Sequence, residues 1–317
     1  MVVLSLSAFM VMSLSAFSYA VAKEFAYLTP GLDLPFWRYL AKGIEDEAKK
    51  AGHKSTTYDS NNDAAKQLAN AQDAIAKTVD GIMISPTDSS TCPKVLELAK
   101  KAGIPVVIAD IGTESGDYVS FVISDNTEGA YSVGKLLATK LVAKGWKEGP
   151  VGLVTISLAR ANGQKRTAGF RKAMTEAGIK EAALKQMQLY TGDETFKYVQ
   201  DMITANPNMR GIFIQTDNPT LGAVRAVQTA RMGDNILVAG FDGVPEFVDL
   251  IKSGKLIGSG MRQPYLMGQR SMQALLDHLG GKQVPKEIMV PIMLVSQDNL
   301  EQVLPTIKQS VFAGELK

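Results

Sequence analysis

Short polar side chains stand at the ends of several apolar runs in this sequence. They are carboxylic acids and hydroxyls, and they lie at Ser85, Asp110, Thr216, Asp217 and Asp242. A carboxylate can accept hydrogen bonds from two neighbouring hydroxyl groups, while a serine or threonine hydroxyl both donates and accepts. The set therefore suits a small molecule that carries several hydroxyl groups.

Two aromatic side chains add an apolar surface to this set. Phe36 and Trp37 come soon after the first apolar run. An aromatic face can lie against the C–H face of a sugar ring, in a pocket whose few polar groups fix the orientation of the ligand. Phe36 also falls on the apolar stripe of a predicted helix, so packing in the core explains it equally well.

Local structure offers another explanation for some of the polar residues. The loop that begins at Ser85 could form a turn, with Asp88 or Ser89 as the N-cap of the next helix. Asp217 precedes Asn218-Pro219, so a helix cap explains it at least as well as a ligand contact. Asp110 and Asp242 are followed by no obvious helix, so capping explains them less well, although Asp242 could form a turn with Gly243.

The elements that must position these residues alternate between strands and helices. In the first half we predict strands at 25–28, 54–59, 81–85 and 104–109, with helices at 36–50, 64–77 and 92–102. The first helix places Phe36, Leu40 and Ile44 four residues apart, which is the helical period. This alternation predicts a parallel sheet covered by helices on both faces.

The second half repeats the same layout. We predict strands at 152–156, 186–190, 211–215 and 236–240, with helices within 163–177, 195–205 and 221–231. In each half a buried strand is followed by a turn, a helix and a strand that ends in aspartate, which predicts two similar α/β lobes in series. A strand at 256–260, a helix at 265–279, a strand at 288–295 and an amphipathic end should cross back and complete both sheets.

The bulk composition restricts the possible functions. The chain has 317 residues, a net charge of +2 and one cysteine, Cys92. This length suggests two domains. The near-neutral charge gives no basic surface for nucleic acid or for membranes. A single cysteine allows no internal disulfide, and we expect Cys92 to be packed in the interior.

Motifs of common enzyme classes are missing from the sequence. The segment Gly258-Ser-Gly260 lacks the third glycine of a dinucleotide-binding loop. There is no phosphate-binding loop, no Gly-x-Ser-x-Gly and no metal-ligand spacing of histidines or cysteines. A calcium loop beginning at Asp59 would need glycine at Ala64 and glutamate at Asn70. We therefore predict a binding protein without metal or cofactor rather than an enzyme.

The first 22 residues have a composition of their own. They carry no charge, are rich in apolar residues, and end in Ala20-Val21-Ala22 before the charged Lys23. A small-x-small ending after an apolar stretch is typical of a cleaved secretory signal peptide. An uncleaved anchor is the alternative, although serines interrupt the apolar stretch. We predict export, with cleavage near Ala22.

A set of short motifs follows in a fixed order: Leu34-Pro-Phe-Trp37, Ser85-Pro-Thr-Asp88, Ser124-Asp-Asn126, Arg166-Thr-Ala-Gly-Phe170 and Gly240-Phe-Asp-Gly243. This ordered set resembles the ribose-binding type of periplasmic binding protein, over nearly the whole chain after residue 22. The resemblance implies two Rossmann-like lobes with parallel sheets, joined by three hinge crossings near 124–126, 262–264 and 291–293. The N-terminal lobe would comprise 23–125 and 263–291, and the C-terminal lobe 126–262 and 292–317.

The resemblance also implies which residues touch the ligand. Sugar-contacting positions of the family fall on Phe36, Trp37, Asp110, Arg166, Asp242 and Arg262. Two departures stand out, because Leu34 replaces an asparagine of the ribose binders and Ile111 replaces an arginine. The loss of an amide and of a bidentate arginine removes specific contacts to hydroxyls. A deoxy sugar, a polyol or a cyclic alcohol fits these changes better than ribose.

From these features we predict a monomeric periplasmic solute-binding protein of a bacterial ABC importer. It would bind a sugar, deoxy sugar or polyol by hinge closure and deliver it to the permease subunits in the membrane, and it could also present the ligand to a chemoreceptor. A non-carbohydrate polar solute is an alternative ligand. A sugar-sensing regulator shares the same lobes, but it would need a DNA-binding domain where this chain has its export signal.

Overall fold

The computed structural model describes residues 21–316, so the predicted signal peptide lies outside the described residues except for Val21 and Ala22. Within 21–316 the chain forms two α/β lobes, each built around a six-stranded sheet. No helix in this part of the chain is both long and apolar enough to cross a bilayer.

The N-terminal lobe contains the sheet with strand order β11-β5-β4-β3-β1-β2, in which all neighbouring strands are parallel. Its strands are β1 (Glu24–Thr29), β2 (Lys54–Asp59), β3 (Gly81–Ile84), β4 (Val106–Ala109), β5 (Ser120–Ile123) and β11 (Glu287–Met289), and its helices are α1 (Pro35–Lys50), α2 (Ala64–Ala76), α3 (Cys92–Lys101) and α9 (Pro264–Leu279). Strands β3 and β4 are apolar and buried throughout. Helices cover both faces of the sheet, as is usual for parallel strands.

The C-terminal lobe repeats this arrangement with strand order β12-β10-β9-β8-β6-β7. Its strands are β6 (Val151–Thr155), β7 (Glu181–Gln186), β8 (Gly211–Ile214), β9 (Leu237–Phe241), β10 (Gly258–Met261) and β12 (Met293–Ser296), and its helices are α4 (Asn126–Ala143), α5 (Ala161–Ala177), α6 (Gly192–Ala205), α7 (Asp217–Thr229) and α8 (Glu246–Lys252). Strand β12 is antiparallel to β10, whereas its counterpart β11 is parallel to β5. The two lobes are otherwise the same in layout, with α1 equivalent to α5 and β4 equivalent to β9.

In the part that the structure describes, the chain passes from one lobe to the other three times. These passages lie between β5 and α4, between β10 and α9, and between β11 and β12. The predicted single strand at 288–295 is wrong, because it consists of two short strands in different sheets. Pro291 lies between them and has no N–H to donate to a strand ladder, so β11 ends before it.

The predicted strand at 186–190 is also wrong. Strand β7 ends at Gln186. The backbone N–H groups of Gln188, Leu189 and Tyr190 instead donate to the carboxylate of Glu194, at distances of 2.7 to 3.0 Å. Because these donors are taken by a side chain, the segment forms a loop, in which Tyr190 has a φ of 58°.

Two pairs of helices pack closely through glycine. A Cβ atom at Gly268 of α9 would lie 2.1 Å from the carbonyl oxygen of Leu40 in α1, and one at Gly43 would lie 2.1 Å from that of Tyr265. In the other lobe, a Cβ at Gly169 of α5 would lie 2.1 Å from the carbonyl oxygen of Thr127 in α4. Glycine is therefore required for these contacts, which attach α1 and α5 to the helices that follow the hinge crossings.

The last helix contacts both lobes. Helix α10 (Leu300–Ser310) follows β12 and packs against α8 of the C-terminal lobe and α9 of the N-terminal lobe. Beyond it, Val311 and Phe312 are fully buried. The Tyr39 hydroxyl of α1 donates to Glu315 at 2.7 Å. The end of the chain thus lies across the two lobes.

Candidate functional site

A small cavity lies between the lobes, where the carboxyl ends of strands from both sheets meet. Its lining comprises Leu34, Phe36, Trp37, Ile156, Arg160, Asn162, Arg166, Tyr190, Thr216 and Arg262. The cavity measures about 10 Å³, which is room for no more than one water molecule. A monosaccharide can enter only if the lobes move apart or the lining side chains change rotamer.

An arginine at the second hinge crossing joins carboxylates from both lobes. Arg262 donates from Nε and Nη2 to the two oxygens of Asp242, at 2.6 and 2.9 Å, and its Nη1 forms an ion pair with Asp110. All three side chains are at most 3 % exposed. Burial alone would lower the pKa of Arg262, but the carboxylates of Asp110 and Asp242 raise it above its ordinary value. The arginine therefore stays charged.

The two aspartates occupy equivalent places in the two lobes. Asp110 follows β4 with a φ of 66°, and Asp242 follows β9 with a φ of 62°. This left-handed conformation is uncommon for residues other than glycine, although aspartate tolerates it better than most. Backbone hydrogen bonds hold it, because the Asp110 N–H donates to Val122 and the Asp242 N–H to Gly260 on the neighbouring strands. Both carboxylates thereby reach Arg262, although neither residue lines the cavity.

Arg166 is held by a set of acceptors that leaves one nitrogen free for another partner. Its Nε donates to Asn126 at 2.8 Å and its Nη1 donates to the carbonyl oxygen of Gln215 at 2.5 Å. The same Nη1 is 3.4 Å from Asp242 Oδ2, whereas Nη2 is buried without a hydrogen-bond partner. Burial and the nearby Arg262 lower the pKa of Arg166 to about 10, so it remains protonated at neutral pH.

Asn162 lies one helical turn before Arg166 on α5. Its Nδ2 donates to Asp110 Oδ2 across the cleft at 3.1 Å, and its Oδ1 is buried without a partner. A buried polar group without a hydrogen bond costs about 1–3 kcal/mol. The free acceptor of Asn162 and the free donor of Arg166 therefore form a pair that a hydroxylated ligand can satisfy.

Each arginine in the lining stacks on an aromatic ring. The guanidinium carbon lies 5.0 Å from the ring centre of Tyr190 for Arg160, 4.3 Å from that of Phe241 for Arg166, and 3.8 Å from that of Phe36 for Arg262. Stacking of this kind fixes the plane of a guanidinium and is favourable in itself. Arg160 also donates across the cleft to the carbonyl oxygen of Thr87, at 2.9 Å.

Of three further predicted site residues, Thr216 lines the cavity and Ser85 and Asp217 do not. Ser85 does not line the cavity, and its Oγ forms a 3.0 Å hydrogen bond with the Tyr27 hydroxyl. Thr216 lines the cavity, with its Oγ1 3.3 Å from Asp242 Oδ2. Asp217 is fully buried behind the lining, and its Oδ2 accepts from the backbone N–H of Phe36 at 3.1 Å.

The capping alternatives for the loop after Ser85 are wrong. The N-cap of α3 is Thr91. Asp88 instead accepts hydrogen bonds from the backbone and hydroxyl of Ser90 within the loop, and Ser89 Oγ accepts from the Ala161 N–H of the other lobe at 3.2 Å. This loop thus contributes to contact between the lobes rather than to a helix end.

Several lining residues were missed by reasoning from the sequence. Asn162 could have been found, because its spacing of four places it on the same helical face as Arg166. Arg160 and Tyr190 gave no such signal, since their placement depends on the Glu194 loop and on the opposing lobe. Ile156 follows β6, and the sequence predicted it only as the last residue of an apolar strand.

Other possible sites in the described residues are less suitable. The depression that includes Lys100 and His278 measures about 470 Å³, but it lies at the amino ends of β4 and β5, away from the usual ligand side of a parallel sheet. Cys92 is buried, which raises the pKa of its thiol to about 11. In residues 21–316 no cluster of histidine, cysteine, aspartate and glutamate side chains could hold a metal ion.

Comparison with known proteins identifies relatives along most of the chain. Residues 25–283 match the family described as "Periplasmic binding protein domain". The ribose import binding protein of Bacillus subtilis (strain 168) is 34% identical over 267 residues, which cover 84% of this chain and 85% of that protein. The D-allose-binding periplasmic protein of Escherichia coli (strain K12) is 27% identical over 286 residues, covering 87% of this chain and 90% of that protein.

Solved structures of similar fold include sugar complexes. A carbohydrate transporter solute-binding protein from Agrobacterium radiobacter, in complex with D-arabinose, has a TM-score of 0.85 and 24% identity, and covers 92% of this chain and 99% of its own. A periplasmic solute-binding protein of an ABC transporter from Actinobacillus succinogenes 130z, with bound D-allose, has a TM-score of 0.81 and 26% identity. The match covers 88% of this chain and 99% of that protein.

Proposed function

This chain belongs to the periplasmic binding protein family, and from that premise we propose that it binds a sugar, deoxy sugar or polyol between its lobes for a bacterial ABC importer. The observation that carries the proposal is the pair of unpartnered polar atoms at the cavity, Asn162 Oδ1 and Arg166 Nη2. An acceptor and a charged donor on residues of the same lining match a ligand hydroxyl that donates and another that accepts.

The remaining lining argues for a ligand with an apolar edge. Leu34, Trp37 and Ile156 offer no hydrogen bond of use to a hydroxyl, apart from the indole N–H. The carboxylates of Asp110 and Asp242 are already engaged by Arg262. A hydroxyl facing Leu34 or Ile156 would lose its hydrogen bonds to water without replacement. These contacts favour a deoxy sugar or a small polyol over ribose.

Ligand capture is proposed to follow from lobe closure about the crossings. The cavity takes an apolar wall from the start of α1, and the start of α5 supplies Arg160, Asn162 and Arg166. Both lobes therefore touch the ligand together only when they are closed. A ligand shifts the equilibrium toward the closed form because it makes more contacts there. The Asn126 side chain links Arg166 to the first crossing, and Arg262 belongs to the second, so the ligand-binding arginines are connected directly to the hinge.

The cellular setting forms part of the same proposal. We infer that the chain is exported to the periplasm after cleavage near Ala22, acts as a monomer, and transfers its ligand to permease subunits in the membrane. The charge-free start of the sequence supports export, and similar proteins include a ribose import binding protein and a periplasmic solute-binding protein of an ABC transporter. Presentation of the loaded protein to a chemoreceptor is compatible with this role.

A thermal-shift screen tests the proposal. The panel contains D-ribose, D-allose, D-arabinose, D-fucose, erythritol and ribitol, and we expect one or a few members to raise the melting temperature. Asn162→Leu and Arg166→Gln should abolish or strongly reduce that rise. Arg171→Gln is the matched control, because Arg171 lies on the same helix but is half exposed and paired with Glu181. A panel without any hit, or equal shifts in all variants, would contradict the proposal.

A further inference from the structure

Helix α1 begins without a cap of its own. Its N-cap position is Leu34, whose side chain accepts no hydrogen bond, and its first turn contains no acidic residue. Pro35 has no N–H, so the first backbone donor that needs an acceptor belongs to Phe36. A 16-residue helix that carries two residues of the cavity lining thus depends on some other group for its N-terminus.

That group comes from the other lobe. Asp217 is the first residue of α7, and its Oδ2 accepts from the Phe36 N–H at 3.1 Å. Its second oxygen accepts from the Asn218 N–H at 2.8 Å, at the start of α7 itself. One carboxylate therefore serves the N-termini of two helices that belong to different lobes. Asp217 is fully buried but does not line the cavity.

We propose that Asp217 is a positioning residue, which caps α1 across the cleft and so sets Phe36 and Trp37 against the ligand when the lobes close, without touching the ligand itself. This inference rests on the proposed function, since it describes how the same site is assembled. It differs from a direct ligand contact, which the sequence left open beside a helix cap as an equally good explanation of Asp217.

The cap can act only in the closed arrangement, because its two partners move apart when the lobes separate. A carboxylate at a helix N-terminus is favourable both as a hydrogen-bond acceptor and through the helix dipole. This contact stabilises the closed form by the same amount whatever ligand is bound. A direct ligand contact would instead depend on the particular hydroxyl that it recognises.

The surroundings of Asp217 keep its carboxylate in place. Thr216 Oγ1 lies 3.4 Å from Asp217 Oδ1 and 3.3 Å from Asp242 Oδ2, so it stands between the two acids. The positive charge of Arg262 favours the ionised form of Asp217. The negative charge of Asp217 in turn favours the protonated forms of Arg166 and Tyr39. None of these side chains takes the place of Asp217 at the Phe36 amide.

Isothermal titration with two probes separates a cap from a ligand contact. The probes are the panel member that binds the wild type most tightly and its analogue without one hydroxyl. We expect Asp217→Ala to weaken both by the same factor, about fivefold to tenfold, as the loss of a helix cap does. Unequal factors would identify Asp217 as a ligand contact, and unchanged affinities would also overturn the inference. Asp193→Asn is the control, because Asp193 is an exposed acid in the first turn of α6.

Hydrogen exchange at the Phe36 amide, followed by NMR, gives a readout that a general structural role would not move. At saturating probe, this amide should exchange slowly in the wild type, much faster in Asp217→Ala and at an intermediate rate in Asp217→Asn, which keeps an acceptor oxygen. If no panel member binds the wild type, the proposed function fails. Equal rates in the wild type and Asp217→Ala at saturating probe would overturn the inference while leaving the proposed function intact. Circular dichroism checks that both variants fold.

Discussion

The two lobes share one architecture but contribute different chemistry to the cavity. Their sheets have the same strand order, and their aspartates adopt the same backbone conformation after equivalent strands. Yet the start of α1 contributes Leu34, Phe36 and Trp37, whereas the start of α5 contributes Asn162 and Arg166. The fold therefore decides where a side chain enters the cavity, and the few residues at each helix start decide its chemistry there.

This division gives each lobe a separate task. In the proposed function, the N-terminal lobe supplies an apolar wall that selects ligands by shape and excludes water, and its contacts depend little on individual hydroxyls. The C-terminal lobe supplies hydrogen-bonding groups, and leaving such groups unpaired carries a large cost. Arg262 cannot be assigned to one lobe in this division, because it forms ion pairs with an aspartate of each lobe.

Removal of the shared arginine should have the largest effect. Arg262→Met leaves two buried carboxylates without their main cation, and breaking a buried ion pair costs about 3–5 kcal/mol. We expect the free energy of unfolding, measured by urea denaturation, to fall by about this amount, and every ligand-induced thermal shift to vanish.

Two further variants test the explanation for Arg262. Adding Asp110→Asn and Asp242→Asn to Arg262→Met should recover much of the stability, since the uncompensated charges are gone. Arg225→Met breaks an exposed ion pair with Asp193 and should change stability little. If Arg262→Met were as stable as Arg225→Met, the lobes would not be joined through this residue.

The division of tasks itself is tested by one substitution in each lobe. Asn162→Leu removes a hydrogen-bonding group, and we expect it to weaken binding by about tenfold to 100-fold for the best ligand and little for the analogue without the matching hydroxyl. Trp37→Leu should weaken both by a similar factor, about tenfold, because it removes apolar contact area. Titration calorimetry measures both. A hydroxyl-dependent loss in Trp37→Leu would show that the lobes do not differ in this way.

The last prediction is a pH dependence that comes from the acid linking the lobes. Burial and the neighbouring Asp242 raise the pKa of Asp217 to about 7 in the closed form, from an ordinary value of 3.8. Between these two values the closed, folded form binds more protons than the open or unfolded forms. Ligand affinity and stability should therefore fall as the pH rises toward 7 and level off above it. The Phe36 amide can donate to either protonation state of the carboxyl.

Calorimetry and thermal melts at pH 5, 6, 7 and 8 check this dependence. Asp217→Asn should be nearly independent of pH over that range, whereas Asp193→Asn should behave as the wild type does. A wild type whose affinity rises with pH would contradict the assigned direction.

The parts of the fold that depend on local pattern could be predicted from the sequence. Apolar runs that end in aspartate correctly located β4 and β9, and the four-residue spacing of Phe36, Leu40 and Ile44 located α1. The loop at Tyr190 could not be foreseen, because its backbone is held by a side chain rather than by a neighbouring strand. The partner of Asp217 could not be foreseen either, since it lies in the opposite lobe and is met only when the two lobes come together.

The glycine contact between α1 and α9 has a consequence for how the chain acquires its structure. Gly43 and Gly268 come from opposite ends of the sequence, yet they are pressed together in one lobe. Contacts of such long range make folding slow, because a large loop must close before they form. The sheet of the N-terminal lobe is complete only with β11, and that of the C-terminal lobe only with β12. Residues 287–296 are therefore needed before either sheet can close its last edge, so the two lobes complete their structures at the same late stage of folding.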